Sequence, residues 1–122
     1  MEDLTNKKQL LEQWKITGSW TLFLDRDGVV NQRKIGGYIT VVDEFEFLPG
    51  VPQAIAFASK IFGKIIVVTN QQGIGKGLMT EEQLRQIHDH MLEKIAESNG
   101  RVDKVYYSPF LAETNHHSRK PN

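Results

Sequence analysis

The sequence contains no cysteine among its 122 residues. Without a thiol, the chain can form neither a disulfide nor a cysteine-ligated zinc site, and it has no cysteine nucleophile. It also has no excess of charge of one sign, because 15 Lys and Arg balance 15 Asp and Glu. This balance excludes a strong overall attraction to nucleic acid or to an acidic membrane. Any anionic ligand must therefore be held by local groups.

Long apolar runs are absent as well. No stretch of the sequence approaches the roughly 20 apolar residues that a transmembrane helix needs, and the first residues lack the apolar core of a signal peptide. These features predict a cytoplasmic protein without a membrane partner. The length fits one domain, and strand-like and helix-like segments alternate along it. That alternation predicts an α/β fold with a parallel sheet flanked by helices.

The most informative stretch is TLFLDRDGVVN, at residues 21–31. Its apolar beginning, together with the preceding tryptophan (residues 20–24), predicts a short buried strand that ends in a turn. Asp25 and Asp27 are two residues apart, so on an extended chain their side chains point the same way. They can converge just beyond the carboxyl end of the strand, where open α/β sheets bind ligands.

Two carboxylates held close together repel each other unless a cation lies between them or one of them is protonated. Both conditions suit phosphoryl transfer, since Mg²⁺ binds carboxylate oxygens and a protonated carboxyl can donate to a leaving oxygen. The alternative is an acidic turn after a strand, because Asp and Gly are common turn residues. The hydrophobic strand before the motif and the matching features further along the chain favour the functional interpretation.

The string LFLDRDGVVN resembles the first motif of the haloacid dehalogenase superfamily of phosphatases. Its DRDG form is similar to the branch that contains histidinol-phosphate phosphatase and heptose-bisphosphate phosphatase. The resemblance implies that Asp25 attacks phosphorus and that Asp27 acts as general acid and base. It also implies a Mg²⁺ ion bound by Asp25 and by the backbone carbonyl of Asp27, in a domain without a large cap.

A second strand is predicted for the β-branched run KIIVVT at residues 64–69. In a parallel sheet its end places Thr69 and Asn70 level with Asp25, where a hydroxyl, an amide and backbone N–H groups can bind phosphate oxygens. The segment VVTNQQGIGKG is similar to the second motif of the same family. This implies that Thr69 stabilises the transferring phosphoryl group and that Asn70 and Gln71 bind substrate. Its glycines match neither a dinucleotide fingerprint nor a P-loop, and they predict a flexible loop beside the pocket.

The connection at residues 31–46 is long for a compact domain, and such connections are often functional. It holds Arg33 and Lys34, which can contact an anionic substrate but are equally compatible with a solvated basic turn. The segment GGYIT resembles the Gly-Tyr part of the substrate-binding loop in the same phosphatases. The resemblance implies substrate contacts for Gly37 and Tyr38.

A helix is predicted for residues 80–99, because Thr80 and Gln83 form a capping-box pattern at its start. Four apolar residues at helical spacing form its predicted buried stripe: Leu84, Ile87, Met91 and Ile95. His88 and His90 on this helix are two apart and face different directions. They are therefore interpreted as structural or surface residues rather than as metal ligands.

Three further elements complete the predicted architecture. Residues 1–19 form a helical N-terminal extension, and the phosphatase domain occupies residues 20–122. Within this domain a covering helix begins near Pro52, since proline is tolerated in the first turn of a helix. Residues 102–107 form a third strand.

The end of the sequence holds Arg119 and Lys120 in the string RKP, which resembles the third motif of the family. The resemblance implies that Lys120 neutralises the phosphoryl group and that Arg119 recognises substrate, whereas the alternative is a basic tail. The heptose-bisphosphate phosphatases carry a cysteine-rich zinc loop in this region, so no structural zinc is expected here. A fourth, acidic motif follows RKP in the family. The sequence ends at Asn122, which favours a domain truncated at its C-terminus.

Taken together, the three motifs imply a Mg²⁺-dependent phosphatase that hydrolyses a small sugar-phosphate monoester of the heptose 1,7-bisphosphate type through an aspartyl-phosphate. Histidinol phosphate is the alternative substrate, and a noncatalytic phosphate-binding or interaction domain with the same fold is the alternative class. The expected partner is a small phosphorylated metabolite, not a nucleic acid or a membrane. The exact substrate and the oligomeric state stay open, because substrate contacts lie in variable loops.

Overall fold

The computed structural model describes residues 15–109, so the predictions for residues 1–14 and 110–122 lie outside it. Three parallel strands form one sheet in the order β1 (Thr21–Asp25), β2 (Lys64–Asn70) and β3 (Lys104–Ser108). The helices are α1 (Val51–Ser59), α2 (Gln72–Gly75) and α3 (Glu81–Glu97), and a 3₁₀ turn spans Val42–Glu44. The predicted parallel α/β architecture is confirmed. The longest described connection between a strand and an α-helix, residues 26–50, contains the 3₁₀ turn and no inserted cap domain.

The carboxyl ends of β1 and β2 meet at one edge of the sheet. Asp25 is the last residue of β1 and pairs with Val68, so Thr69 and Asn70 follow immediately beyond its level. On the other side of β2, Asn70 pairs with Ser108 at the end of β3. This register confirms the predicted placement of the two motif-bearing strand ends beside each other.

The core lies where α1 and α3 pack against each other over the sheet. The four predicted stripe residues of α3 are at most 1% exposed: Leu84, Ile87, Met91 and Ile95. The predicted capping box is also present, since Thr80 Oγ1 accepts from the Gln83 amide at 3.1 Å and the Gln83 side chain accepts from the Thr80 amide at 2.8 Å. Pro52 lies in the first turn of α1, as predicted. No helix in the described part of the chain has both the length and the apolar character that a membrane crossing requires.

Strand β1 is less buried than the sequence predicts. Phe23 is 64% exposed, and Trp20 lies outside the strand with 43% of its surface exposed. Alternate side chains of a strand point to opposite faces, and Leu24 is the β1 residue that packs against the core cluster. Among the described strands, β1 pairs only with β2. The prediction of full burial was therefore wrong, because an apolar run alone does not say which faces and edges are covered.

The glycine-rich segment after β2 is a one-turn helix, α2, rather than a flexible loop. The turn is closed by the Lys76 amide, which donates to the Gln72 carbonyl at 2.9 Å, and by the Leu78 amide, which donates to the Gly73 carbonyl at 2.8 Å. Gly73 is buried, and a Cβ atom there would lie 3.4 Å from Cγ of Tyr38. The glycine is thus used for close packing against the loop that lines the site, not for mobility.

Candidate active site

A cavity of about 310 Å³ opens at the carboxyl edge of the sheet. Its walls come from the ends of β1 and β2 and from the loop at residues 31–46. The predicted site residues that line it are Asp25, Asp27, Gly37, Tyr38, Thr69, Asn70 and Gln71. Arg33 and Lys34, for which a solvated turn was the alternative, line it as well. Every predicted site residue within the described range is therefore in one cavity, while Arg119 and Lys120 lie outside the described residues.

The turn after β1 brings the chain back onto Asp27. Gly28 adopts a left-handed conformation with φ +87°, and its amide donates to the Asn31 carbonyl at 2.8 Å. The Asn31 amide in turn donates to the Arg26 carbonyl at 3.1 Å. A side chain at Gly28 would be strained by this φ value, and its Cβ atom would lie 2.9 Å from Cδ of Arg33. Glycine is needed here so that Asn31 can face Asp27.

The Asp27 carboxylate accepts hydrogen bonds at both oxygens. Oδ1 accepts from Arg26 Nη2 at 2.7 Å, from Arg26 Nε at 3.2 Å and from Asn31 Nδ2 at 3.0 Å. Oδ2 accepts from Gln71 Nε2 at 3.0 Å. Burial opposes ionisation of Asp27, but the charge of Arg26 and these hydrogen bonds outweigh it and hold the pKa of Asp27 below its usual value of 3.8. Asp27 is therefore ionised and fixed in the free protein.

Arg26, between the two aspartates, is the main site residue that sequence reasoning missed. Its side chain is fully buried, with Nη1 3.2 Å from Nε2 of His88 and Cζ 5.9 Å from the centre of the Phe45 ring. A buried cation is stable only when it is paired, and Asp27 supplies the anion. The sequence signal was its position inside the motif. Arginine side chains are usually exposed, so the residue type alone did not predict that Arg26 is buried.

Gln71 connects the ends of β1 and β2. Its side-chain Nε2 atom donates to Asp27 Oδ2 at 3.0 Å and to Thr69 Oγ1 at 2.8 Å. Its backbone amide donates to the Ser108 carbonyl at 2.8 Å. Thr69 and Gln71 are 3% and 2% exposed, so these contacts are shielded from water. The side-chain amide of Gln71 thus holds protein groups together. Because Thr69 Oγ1 accepts from Gln71, its own hydroxyl proton is the one that can be donated to a ligand.

The loop at residues 31–46 is anchored by an ion pair between Lys34 and Glu44. Glu44 Oε1 also accepts from the amide of Thr40 at 2.9 Å and from its hydroxyl at 3.0 Å. The hydrogen bond from Lys34, followed by the one from the Thr40 amide, lowers the pKa of Glu44 to about 2. A second cavity of about 890 Å³ adjoins the first along this loop, and there the Lys76 ammonium lies 5.2 Å from the centre of the Tyr38 ring. The two cavities therefore share a wall that carries cationic side chains.

The oxygen donors of the cavity fit a magnesium ion. Mg²⁺ usually keeps several waters and needs only one or two protein ligands beside a phosphate. Asp25 is exposed at the end of β1 and lines the cavity. Asp27 lines the cavity as well, and the family resemblance implies that its backbone carbonyl is the second protein ligand. Within residues 15–109 no three acidic, histidine or cysteine side chains form a metal cluster.

The chain is similar to phosphatases that act on heptose bisphosphates. It is 38% identical over 102 residues to D-glycero-alpha-D-manno-heptose-1,7-bisphosphate 7-phosphatase of Mycobacterium tuberculosis, a match that covers 84% of this chain and 54% of the relative. The crystal structure of D,D-heptose 1,7-bisphosphate phosphatase from B. bronchiseptica, complexed with magnesium and phosphate, matches with a TM-score of 0.78 and 35% identity. That match covers 83% of this chain and 56% of the solved chain.

A third match has a TM-score of 0.66, 30% identity and coverage of 87% of this chain and 53% of the other. It is a Mesorhizobium loti protein described as an HAD-like phosphatase. The chain belongs to the haloacid dehalogenase superfamily. The chain spans about half the length of the curated relatives it matches. No protein-family model matches it.

Membership of the haloacid dehalogenase superfamily confirms the fold that the DRDG motif implied. In this domain the DRDG motif begins at the last residue of β1, and the second motif includes the end of β2 beside it. The roles of the individual residues stay predictions. So does the absence of a structural zinc, because the segment in question lies outside the described residues.

Buried His88 predicts how the stability of this haloacid dehalogenase domain depends on pH. Burial, and then the nearby charge of Arg26, lower the pKa of His88 from 6.5 to about 4, although Asp27 acts in the opposite direction. Below pH 6.5 the unfolded chain therefore binds a proton that the folded chain does not. The free energy of unfolding should fall by about 3 kcal/mol between pH 6.5 and pH 4, and this loss should be absent above pH 7. Urea denaturation in magnesium-free buffer measures the effect.

The control for this prediction is His88→Gln, which removes the titrating group and keeps a polar side chain of similar length. Its free energy of unfolding should fall by less over the same pH interval, because only carboxylates with lowered pKa values, such as Glu44, still lose stability as the pH approaches 4. The lowered pKa of Asp27 does not affect this comparison. The stability that ionised Asp27 contributes to the fold is lost only as the pH falls below the usual aspartate value of 3.8. Parallel loss of stability in the wild type and in His88→Gln would contradict the assignment to His88.

Proposed function

We propose that this protein is a Mg²⁺-dependent phosphatase that hydrolyses a small sugar-phosphate monoester through an aspartyl-phosphate intermediate. The observation that carries the proposal is the placement of Asp25, Asp27 and Thr69 in one cavity at the carboxyl edge of the sheet. Arg33 on the same wall supplies positive charge that an anionic substrate needs, and Lys34 beside it is paired with Glu44. The similarity to a phosphatase crystallised with magnesium and phosphate supports the same chemistry.

In the first step, a carboxylate oxygen of Asp25 attacks phosphorus in line with the sugar oxygen. The new bond joins this oxygen to phosphorus, and the bond between phosphorus and the sugar oxygen breaks. Asp25 can do this because it is exposed at the strand end and lines the cavity. A magnesium ion bound by Asp25 and the carbonyl of Asp27 would reduce the repulsion between nucleophile and phosphate.

Asp27 is the group that handles the proton. Its pKa is low in the free protein, but a dianionic phosphate placed beside it disfavours the ionised carboxylate and favours proton uptake. The protonated carboxyl then donates to the departing sugar oxygen. In the second step the carboxylate takes a proton from a water molecule, whose oxygen bonds to phosphorus while the bond between phosphorus and the Asp25 oxygen breaks. Inorganic phosphate is released and the Asp25 carboxylate is restored. Arg26 and Gln71 hold both oxygens of Asp27 in place for these transfers.

Four further residues complete the proposed site. The Thr69 hydroxyl donates to a phosphoryl oxygen, and Asn70 lies next to it on the cavity wall. Lys120 and Arg119, which lie outside the described residues, are assigned to phosphoryl neutralisation and substrate recognition by resemblance to the third motif. These assignments rest on the family pattern and on position in the chain.

A heptose 1,7-bisphosphate is the proposed substrate type. Relatives of this chain are named as phosphatases of that sugar, and a bisphosphate carries a second anionic group. The adjoining cavity of about 890 Å³ is lined by the cationic side chains of Arg33, Lys34 and Lys76, which can receive such a group. Histidinol phosphate, the alternative substrate, carries an amine in place of the second phosphate and suits a cationic wall less well. The proposed partner is a small phosphorylated metabolite, and the proposed location of the protein is the cytoplasm.

Phosphate release from heptose 1,7-bisphosphate and from histidinol phosphate tests the proposal. The complete gene product should release phosphate from both only with Mg²⁺, and EDTA should abolish the release. The kcat/KM for the bisphosphate should be higher by about tenfold or more, since an added charged hydrogen bond contributes roughly 1.5–3 kcal/mol. A preference for histidinol phosphate would select the alternative substrate. Failure to release phosphate from any ester would favour a noncatalytic binding domain.

A further inference from the structure

The imidazole of His88 lies behind the site, on the buried face of α3. It is 7% exposed, and it is not among the residues that line the catalytic cavity. Its Nε2 atom is 3.2 Å from Nη1 of Arg26, a residue 62 positions away in the sequence. A guanidinium group can only donate hydrogen bonds, so Nε2 must be the acceptor and the imidazole carries its proton on Nδ1. His88 is therefore a neutral acceptor held behind the arginine.

Arg26 is fixed at both ends by these contacts. Nε and Nη2 donate to Asp27 Oδ1, Nη1 donates to His88, and the guanidinium group lies against the Phe45 ring. Among residues 15–109, His88 is the side chain that accepts from Nη1. Removal of this acceptor would leave a buried donor unsatisfied, which favours rotation of the guanidinium group toward other partners or water. Such a rotation would also move the two donors that hold Asp27.

We propose that His88 is a positioning residue for phosphoryl transfer: it fixes Arg26, and Arg26 holds the Asp27 carboxylate where it exchanges a proton with the leaving oxygen. The inference rests on the proposed function, because Asp27 has no proton to transfer in a noncatalytic domain. His88 itself touches neither substrate nor metal. His88 acts by orienting Arg26 and, through it, the Asp27 carboxylate. Residues that hydrogen-bond to metal ligands from behind act in the same way.

The chemistry of the surroundings keeps His88 in the accepting state. Protonation would place a second cation against the buried guanidinium of Arg26. Burial and this repulsion lower the pKa of His88 to about 4, so the acceptor is retained at neutral pH. The opposite oxygen of Asp27 is held independently by Gln71. Loss of His88 should therefore disturb the position of Asp27 without releasing it, which predicts a partial loss of turnover.

Four variants of the complete gene product test the proposal. His88→Leu removes the acceptor and keeps an apolar side chain of similar volume, whereas His88→Gln can return an oxygen acceptor near the position of Nε2. The control pair is His90→Leu and His90→Gln on the same helix. His90 packs edge-on against the Phe45 ring, with centroids 6.1 Å apart, but it does not line the catalytic cavity. The two His90 variants therefore measure the effect of lost packing near Arg26 while His88 still accepts its hydrogen bond from Arg26.

The kinetic expectation is a specific effect on turnover. His88→Leu should lower kcat by about 10- to 100-fold with little change in KM, because orientation of the proton donor matters in the chemical step and not in binding. His88→Gln should recover most of the lost kcat, and both His90 variants should turn over as the wild type does. Equal kcat values for His88→Leu and the wild type, or equal losses in His88→Leu and His88→Gln, would overturn the proposal.

A second readout does not need turnover. The Arg26 Nε–H group gives its own NMR resonance, which should exchange slowly with water in the wild type and in His88→Gln. In His88→Leu the same resonance should exchange faster or broaden, and retention of its protection would overturn the proposal. A wild-type protein that releases no phosphate would instead overturn the proposed function. The two failures are therefore distinguishable.

Discussion

Replacement of Asp25 by asparagine is expected to lower the rate of phosphate release by at least about 10³-fold, because loss of a nucleophile removes the covalent step. An amide is a poor nucleophile toward phosphorus and lacks the charge that binds Mg²⁺. The folded state should change little, since the side chain is exposed at the end of β1. The free energy of unfolding should therefore stay within about 1 kcal/mol of the wild-type value. Single-turnover phosphate release and urea denaturation measure the two effects.

The matched control is Asp43→Asn, which makes the same chemical change in the 3₁₀ turn. Asp43 is exposed and does not line the catalytic cavity. Its variant should release phosphate at the wild-type rate. Retention of more than about a tenth of the wild-type rate in Asp25→Asn would contradict the nucleophile assignment, since a tenfold loss corresponds to only 1.4 kcal/mol. Equal losses in both variants would point to a general effect of charge instead.

Local signals in the sequence predicted the elements that carry the site. The β-branched run of β2 and the capping box at Thr80 are properties of short segments, and both are present in the structure. The spacing of Asp25 and Asp27 also predicted correctly that both line one cavity. These predictions succeeded because strand propensity, capping and side-chain alternation are decided by neighbouring residues.

Contacts between distant segments were not predictable in the same way. The hydrogen bond between Arg26 and His88 joins residues 62 positions apart, and neither residue type reveals its partner. Sequence reasoning treated His88 as structural without finding what it holds, and it did not consider Arg26. Gln71 was predicted to bind substrate, whereas its amide also joins Asp27 to Thr69. The missed features are thus the connections behind the cavity, which depend on how α3 packs against the sheet.

Replacement of Arg26 by methionine is expected to lower the free energy of unfolding by about 2–4 kcal/mol. Loss of one partner of a buried ion pair typically costs about 3–5 kcal/mol, and the cost is reduced here because the Asp27 side chain is 32% exposed. Methionine keeps an unbranched apolar stem against Phe45 but leaves the carboxylate without its main donor. Asp27→Asn should also destabilise the fold, because it leaves a buried guanidinium group without an anion. Urea denaturation at pH 7 without Mg²⁺ measures both losses.

The two losses should not add, because they remove the same interaction. The double variant Arg26→Met/Asp27→Asn should be more stable than the sum of the single effects predicts, by about 1–3 kcal/mol. The control cycle is Arg85→Met with Asp89→Asn, an ion pair on the surface of α3 with an N–O distance of 2.8 Å and side chains 61% and 60% exposed. Its coupling should be much smaller, because both side chains are exposed to solvent and their attraction is screened. A coupling between Arg26 and Asp27 no larger than this would show that burial does not strengthen their contact, and Asp27 would then have to be held chiefly by Asn31 and Gln71.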